Sequence, residues 1–163
     1  LKDLTDSLDF LCYFADSSKP YGGKLFLLLK RELKIMSLEE IEILKERALK
    51  FLKNAEYLLQ NKVLDLAAFN IQQFVELYLK YKLFLLVGDY SKTHSIKRLL
   101  KEIGKASNKE AILREFMEQN IDRISNIENA YITSRYIPSE FEMKEVENMF
   151  ELGKKIVEFV DEL

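Results

Sequence analysis

One cysteine (Cys12) and one histidine (His94) in 163 residues are too few for an intramolecular disulfide, a Cys/His zinc site or a CxxC redox pair. Five glycines and two prolines fall below their usual combined share of about 12%, which excludes collagen-like repeats and argues against disorder and a turn-rich β-sandwich. No apolar run approaches the roughly 18 residues of a membrane span. The first turns carry Asp3, Asp6 and Asp9 where a secretory leader needs a basic start and an uninterrupted apolar stretch. A cytoplasmic protein without membrane contact is therefore expected. Net charge is −2, so no global field draws the chain onto a phosphate backbone, and any such contact must come from a local patch. The pair Gly22-Gly23 lacks the GxxxxGK pattern of a phosphate-cradling loop, and no cofactor or metal is expected.

What is present is helical material. Apolar residues make up 48% of the chain and charged residues 32%, enough for a core without disulfides or metals. Leu1, Leu4, Leu8, Leu11 and Ala15 repeat at helical spacing, and Asp16 to Gly23 stops the stripe. A short helix is predicted from Lys24 to about Ile35, with Leu25 to Leu29 apolar all round. Ser37-Leu-Glu-Glu40 has capping-box spacing and should open a long helix to Leu59. The next helix, from Val63 or Asp65 to Val87, is apolar on most faces, ends at the left-handed cap Gly88, and suits the centre of a bundle. A short helix follows from Ser95 to Glu102, closed by Gly104. Ser107 to Glu110 and Ser139 to Glu142 are further capping boxes, opening helices that run to about Ser134, with a break near Asn120, and to Val160. Arg135 to Pro138 reads as a corner, because proline disfavours helix at the residue before it. No strand-like alternation appears. The fold class is all-α: an up-and-down antiparallel helical bundle over residues 37–163, with an extra N-terminal helical segment over residues 1–36.

Four stretches in order carry a family likeness: Ala48-Leu-Lys-Phe-Leu-Lys-Asn-Ala-Glu-Tyr-Leu-Leu59, Asp65-Leu-Ala-Ala-Phe-Asn-Ile-Gln-Gln-Phe-Val-Glu-Leu-Tyr-Leu-Lys80, Thr93-His-Ser-Ile96, and Tyr131-Ile-Thr-Ser-Arg-Tyr-Ile-Pro138. Together they resemble the HEPN domain over about residues 37–160. The resemblance implies a helical bundle, usually a homodimer, often paired with a minimal nucleotidyltransferase. Some members are metal-independent ribonucleases that carry an Arg, four to six residues, then a His, brought together in pairs across a dimer. In this chain Arg135 is followed by Tyr-Ile-Pro-Ser-Glu-Phe-Glu-Met, without a His, which counts against that activity. The resemblance thus implies a non-catalytic protein binding a nucleotide, a nucleotidyltransferase partner, or both, with RNA disfavoured as a partner. The alternative is a metal-independent, toxin-like ribonuclease with a rearranged His94/Arg135 site.

Asp65, Gln72, Glu76 and Lys80 share a narrow arc of the central helix. Either Gln72, Gln73 and Glu76 present hydrogen-bonding groups in a ligand or partner cleft, or they satisfy buried neighbours, for example Glu76 against Arg135. His94 is a helix-start residue or a cleft residue. Tyr131 and Arg135, four apart, face one cleft if helix persists between them. Lys92, Lys97, Arg98 and Lys101, within a basic island that extends to Lys109, are phosphate contacts or a solvated helix face.

Overall fold

The computed structural model describes the backbone of residues 22–137 and 141–163, and side chains from residue 39 onward. The expected N-terminal stripe, residues 16–21 of the expected stop at Asp16 to Gly23, and the residues Pro138 and Ser139 lie outside the described residues, whereas Gly22 and Gly23 are helical. Among the described residues six helices form: α1 (Gly22–Gln60), α2 (Leu64–Val87), α3 (Ile96–Ala106), α4 (Glu110–Gln119), α5 (Ile121–Tyr136) and α6 (Met143–Asp161). The described residues contain no strand, and none of their helices is long and apolar enough to cross a membrane. The chain divides into two compact units, residues 1–40 and 41–163.

Two capping boxes do not act as caps. Ser37 sits inside α1, which is continuous from Gly22; helix formers precede the serine, and no glycine or proline interrupts the ladder there. Ser107 ends α3 instead of starting α4, its hydroxyl donating to the Ile103 carbonyl while Asn108 turns the chain at φ +58°. Gly104 is buried within α3 and does not close it. A Cβ there would lie 3.3 Å from the Glu110 Cα and 3.3 Å from Leu113 Cδ1, so the missing side chain lets α4 pack closely. The helix expected from Ser139 begins at Met143, after an extended Glu142. Gly88 caps α2 as its sequence position requires, at φ +78° with its N–H donating to the Phe84 carbonyl.

Within the second unit α2 is the central rod, buried at thirteen of its positions and packed against α3, α5 and α6. Cross-helix pairs set the directions. Tyr81 Oη donates to Glu42 and Asn54 Nδ2 to Asn70 Oδ1, so residues 41–60 of α1 run antiparallel to α2. Arg135 lies over Phe69, while Tyr131 reaches His94, which in turn contacts Glu76; α5 is therefore antiparallel to α2 as well. α6 runs parallel to α2: Gly153 sits against Ile71 and Val75, and Asp161 accepts from Tyr78. This is an up-and-down bundle.

The Tyr78–Asp161 bond, 2.6 Å long, ties the end of α6 to the core. Burial, then the adjacent carboxylate, pushes the Tyr78 hydroxyl well above its ordinary value of 10.0. A raised value stabilises the fold fully below about pH 10, and that contribution is lost as pH climbs toward the folded value. Tyr78→Phe should therefore lower stability by about 1 kcal/mol at pH 8. The gap between variant and parent should narrow at pH 11, as read from thermal melts at both pH values.

Candidate functional site

The polar stripe on α2 does not open as a groove. Gln72 and Glu76 are 0% and 3% exposed, and Lys80 is 8% exposed. They satisfy one another through helix-spaced contacts: Gln72 Nε2 donates to Glu76 Oε2 at 2.7 Å, and Lys80 Nζ donates to Glu76 Oε1 at 2.7 Å. Half-buried Gln73 donates to Gln72 Oε1 at 2.6 Å. No buried side-chain polar atom among the described residues lacks a partner. Arg135 is not the counter-ion of Glu76; Lys80, one turn along the same helix, takes that place.

One route leads from this network to the surface. His94 Nδ1 lies 3.1 Å from both oxygens of Glu76, while the imidazole itself is exposed. A carboxylate already accepting from an ammonium and an amide can only accept from the ring, which assigns the proton to Nδ1. In the neutral form of the ring Nε2 then carries the in-plane lone pair. Tyr131 Oη is 3.3 Å from Nε2, but the two rings stack at 4.3 Å and 16°, so the hydroxyl lies above the imidazole plane and leaves that lone pair unoccupied. The same tyrosine ring carries Arg135, whose Cζ is 4.0 Å from its centroid and 4.8 Å from that of exposed Tyr136. Arg135 Nε donates to the Tyr131 carbonyl at 2.7 Å. Its terminal amino groups have no protein acceptor among the described residues.

The loop that presents His94 is held at α3's first turn. Ser95 caps the helix by accepting from the Arg98 amide, and its hydroxyl donates to Glu128 Oε2 at 3.0 Å. That carboxylate oxygen also accepts from the Lys97 amide at 3.1 Å, and Thr93 Oγ1 accepts from the Ser95 amide. A carboxylate at a helix N-terminus satisfies orphan donors and complements the dipole there. Glu128 is the positioning residue that sequence spacing could not find, because it sits on α5, far along the chain.

His94, Tyr131 and Arg135 thus converge on one surface, with Glu76 beneath it, Gln72 behind Glu76, and Gln73 beside Gln72. The basic island divides. Lys97 lies 4.0 Å from Glu128 and Arg98 pairs with Glu102 at 2.9 Å. Lys92 and Lys101 are exposed and make no ion pair among the described residues. Hydrogen bonding from Ser91, followed by the hydrogen bond and charge of Arg98, outweighs partial burial and holds the Glu102 carboxyl below the usual range. Among the described residues no three His, Cys, Asp or Glu side chains come together as a metal-ligand set.

A protein-family model described as the HEPN domain matches residues 41–163. No curated protein matches the chain, and no solved structure does.

Proposed function

Because the chain belongs to the HEPN domain family over residues 41–163, we propose that it binds a nucleotide through its phosphates on the surface formed by His94, Tyr131 and Arg135, as a homodimer that works beside a minimal nucleotidyltransferase. The observation that carries this reading is the packing of an exposed imidazole and an exposed guanidinium on one tyrosine ring. A guanidinium with free terminal amino groups takes phosphate oxygens in a bidentate fork. Exposed Tyr136 offers a base a stacking face. Lys92 adds positive charge nearby along the chain. The buried Glu76–Lys80 pair keeps the imidazole in place whether or not a ligand is bound.

Isothermal titration of the whole chain with ATP, ADP and AMP tests the ligand. Arg135→Ala should weaken binding at least about tenfold, the loss of one charge-assisted contact, with the helical signal unchanged because the side chain is exposed. Absence of binding to all three nucleotides by the parent protein would reject the reading. Sedimentation at micromolar concentration tests the dimer, and co-purification with a co-expressed minimal nucleotidyltransferase tests the partner.

The assigned tautomer favours a second reading, RNA cleavage. Nε2 would take the proton of a ribose 2′-hydroxyl, the 2′-oxygen would attack phosphorus, and the 5′-oxygen would leave with a proton from water, giving a cyclic phosphate. Arg135 would stabilise the charge on the phosphorane. Incubation with structured RNA in EDTA, followed by end-group analysis, separates the readings: cyclic phosphate ends that vanish in His94→Ala establish cleavage, and intact RNA removes it.

A further inference from the structure

A cleft of about 210 Å³, lined by none of the residues of the surface just described, lies between α3 and α4. Its floor is apolar: Gly104 brings the two helices together, and Leu113 and Met117 are 1% and 6% exposed. Its sides are Lys101, Lys105 and Arg114, with Glu110 as the single acid. All three cations are exposed and make no ion pair among the described residues, whereas Lys97 and Arg98 on the same helix are both paired. In a chain of net charge −2 this leaves a local excess of positive charge around a greasy slot. Long cationic side chains lay their methylenes along such a slot and keep their heads at the rim.

We propose that this cleft binds a small amphipathic anion, with a carboxylate or phosphate head at the lysine and arginine rim and a short apolar body over Leu113 and Met117. Charge complementarity fixes the head and the apolar floor fixes the body. The volume falls below the roughly 300–1,000 Å³ of drug-sized pockets, which sets the size. The site does not depend on His94.

Titration calorimetry on the full chain carrying Arg135→Ala, so that the nucleotide surface offers no phosphate fork, with octanoate, hexyl phosphate, 1-octanol and inorganic phosphate tests the proposal. Octanoate or hexyl phosphate should bind, and whichever binds more tightly identifies the head group. Octanol and inorganic phosphate should each bind at least about tenfold more weakly, since each lacks one half of the match. The exposed double change Lys101→Gln with Lys105→Gln, and separately Arg114→Gln, should weaken the better ligand about tenfold. Lys53→Gln, exposed on α1 and outside both surfaces, should not alter it. The proposal is overturned if neither amphipathic anion binds, if octanol or inorganic phosphate binds as well as they do, or if the rim changes leave affinity untouched. None of these outcomes bears on nucleotide binding, which Arg135→Ala reads separately.

Discussion

Glu76→Ala is expected to cost the fold about 3–5 kcal/mol, the range for breaking a buried ion pair by removing one partner. Lys80 would keep its ammonium in a position where its side chain is 11% exposed, with its counter-ion gone, and the Gln72 amide would lose its acceptor. Set against a total stability of about 5–15 kcal/mol, such a loss can leave the chain largely unfolded at body temperature. Urea denaturation at 15 °C is the measurement, with helical ellipticity as the signal. The paired change Glu76→Leu with Lys80→Met should recover most of the loss, because an apolar pair of similar volume avoids desolvating two charges. His94 would then meet water where it met a carboxylate. Stability and site function therefore separate in this pair of variants: the double variant folds, but its imidazole is no longer held, and nucleotide affinity should fall as it does in His94→Ala. A loss below about 1 kcal/mol in Glu76→Ala would mean that the network is open to solvent.

Helices and caps differ in how strongly the amino-acid sequence specifies them. The central helix was readable because its signals are redundant: many apolar positions repeat at one period, and Gly88 occupies a cap that favours glycine. Ser37 and Ser107 misled because a capping box is only a serine and a glutamate three residues apart, and it works only where the chain before it is not helical. Around Ser37 the preceding residues continue the helix. Around Ser107 the left-handed turn at Asn108 assigns the hydroxyl to the helix before it. Gly104 misled for a related reason: a glycine serves helix ends and close helix contacts alike, and only the position of α4 distinguishes the two.

At the candidate site the same-helix pairs of Glu76 with Gln72 and Lys80 follow from four-residue spacing alone. Arg135 competed for Glu76 on paper only because a long, charged side chain can reach many places. In the structure it gives its Nε to the carbonyl one turn back and lays its plane on aromatic rings. The convergence of His94 with Tyr131 depends on the loop between α2 and α3 folding back over Glu76, and on Glu128 holding it there. Neither has a local pattern; both are consequences of α5 packing beside α2.

Phe74→Ala should destabilise the bundle about as strongly, by about 3–5 kcal/mol, through a different cause: lost burial plus a cavity. Phe74 is 2% exposed, and its ring meets Tyr78 edge-on at 6.3 Å and 62°. Its other neighbour is α6 at Gly153, where a Cβ would stand 3.2 Å from Val75 Cγ2 and 3.3 Å from Ile71 Cγ2. The helices are already as close there as a glycine permits, so they cannot move inward to fill the space a missing ring leaves. Relaxation is limited and the cost should lie toward the upper end of the range. Phe74→Leu, which keeps most of the volume, should cost less than half as much. Because residues two apart on a helix point to nearly opposite sides, Phe74 faces α6 while Glu76 faces His94. Folded Phe74→Ala should therefore bind nucleotide as the parent does once affinity is corrected for the folded fraction, whereas folded Glu76→Ala should not. Urea titrations of the two variants would look alike, and only the binding isotherms would tell them apart. Reduced affinity in folded Phe74→Ala would mean that the α2–α6 contact and the His94 surface move as one unit.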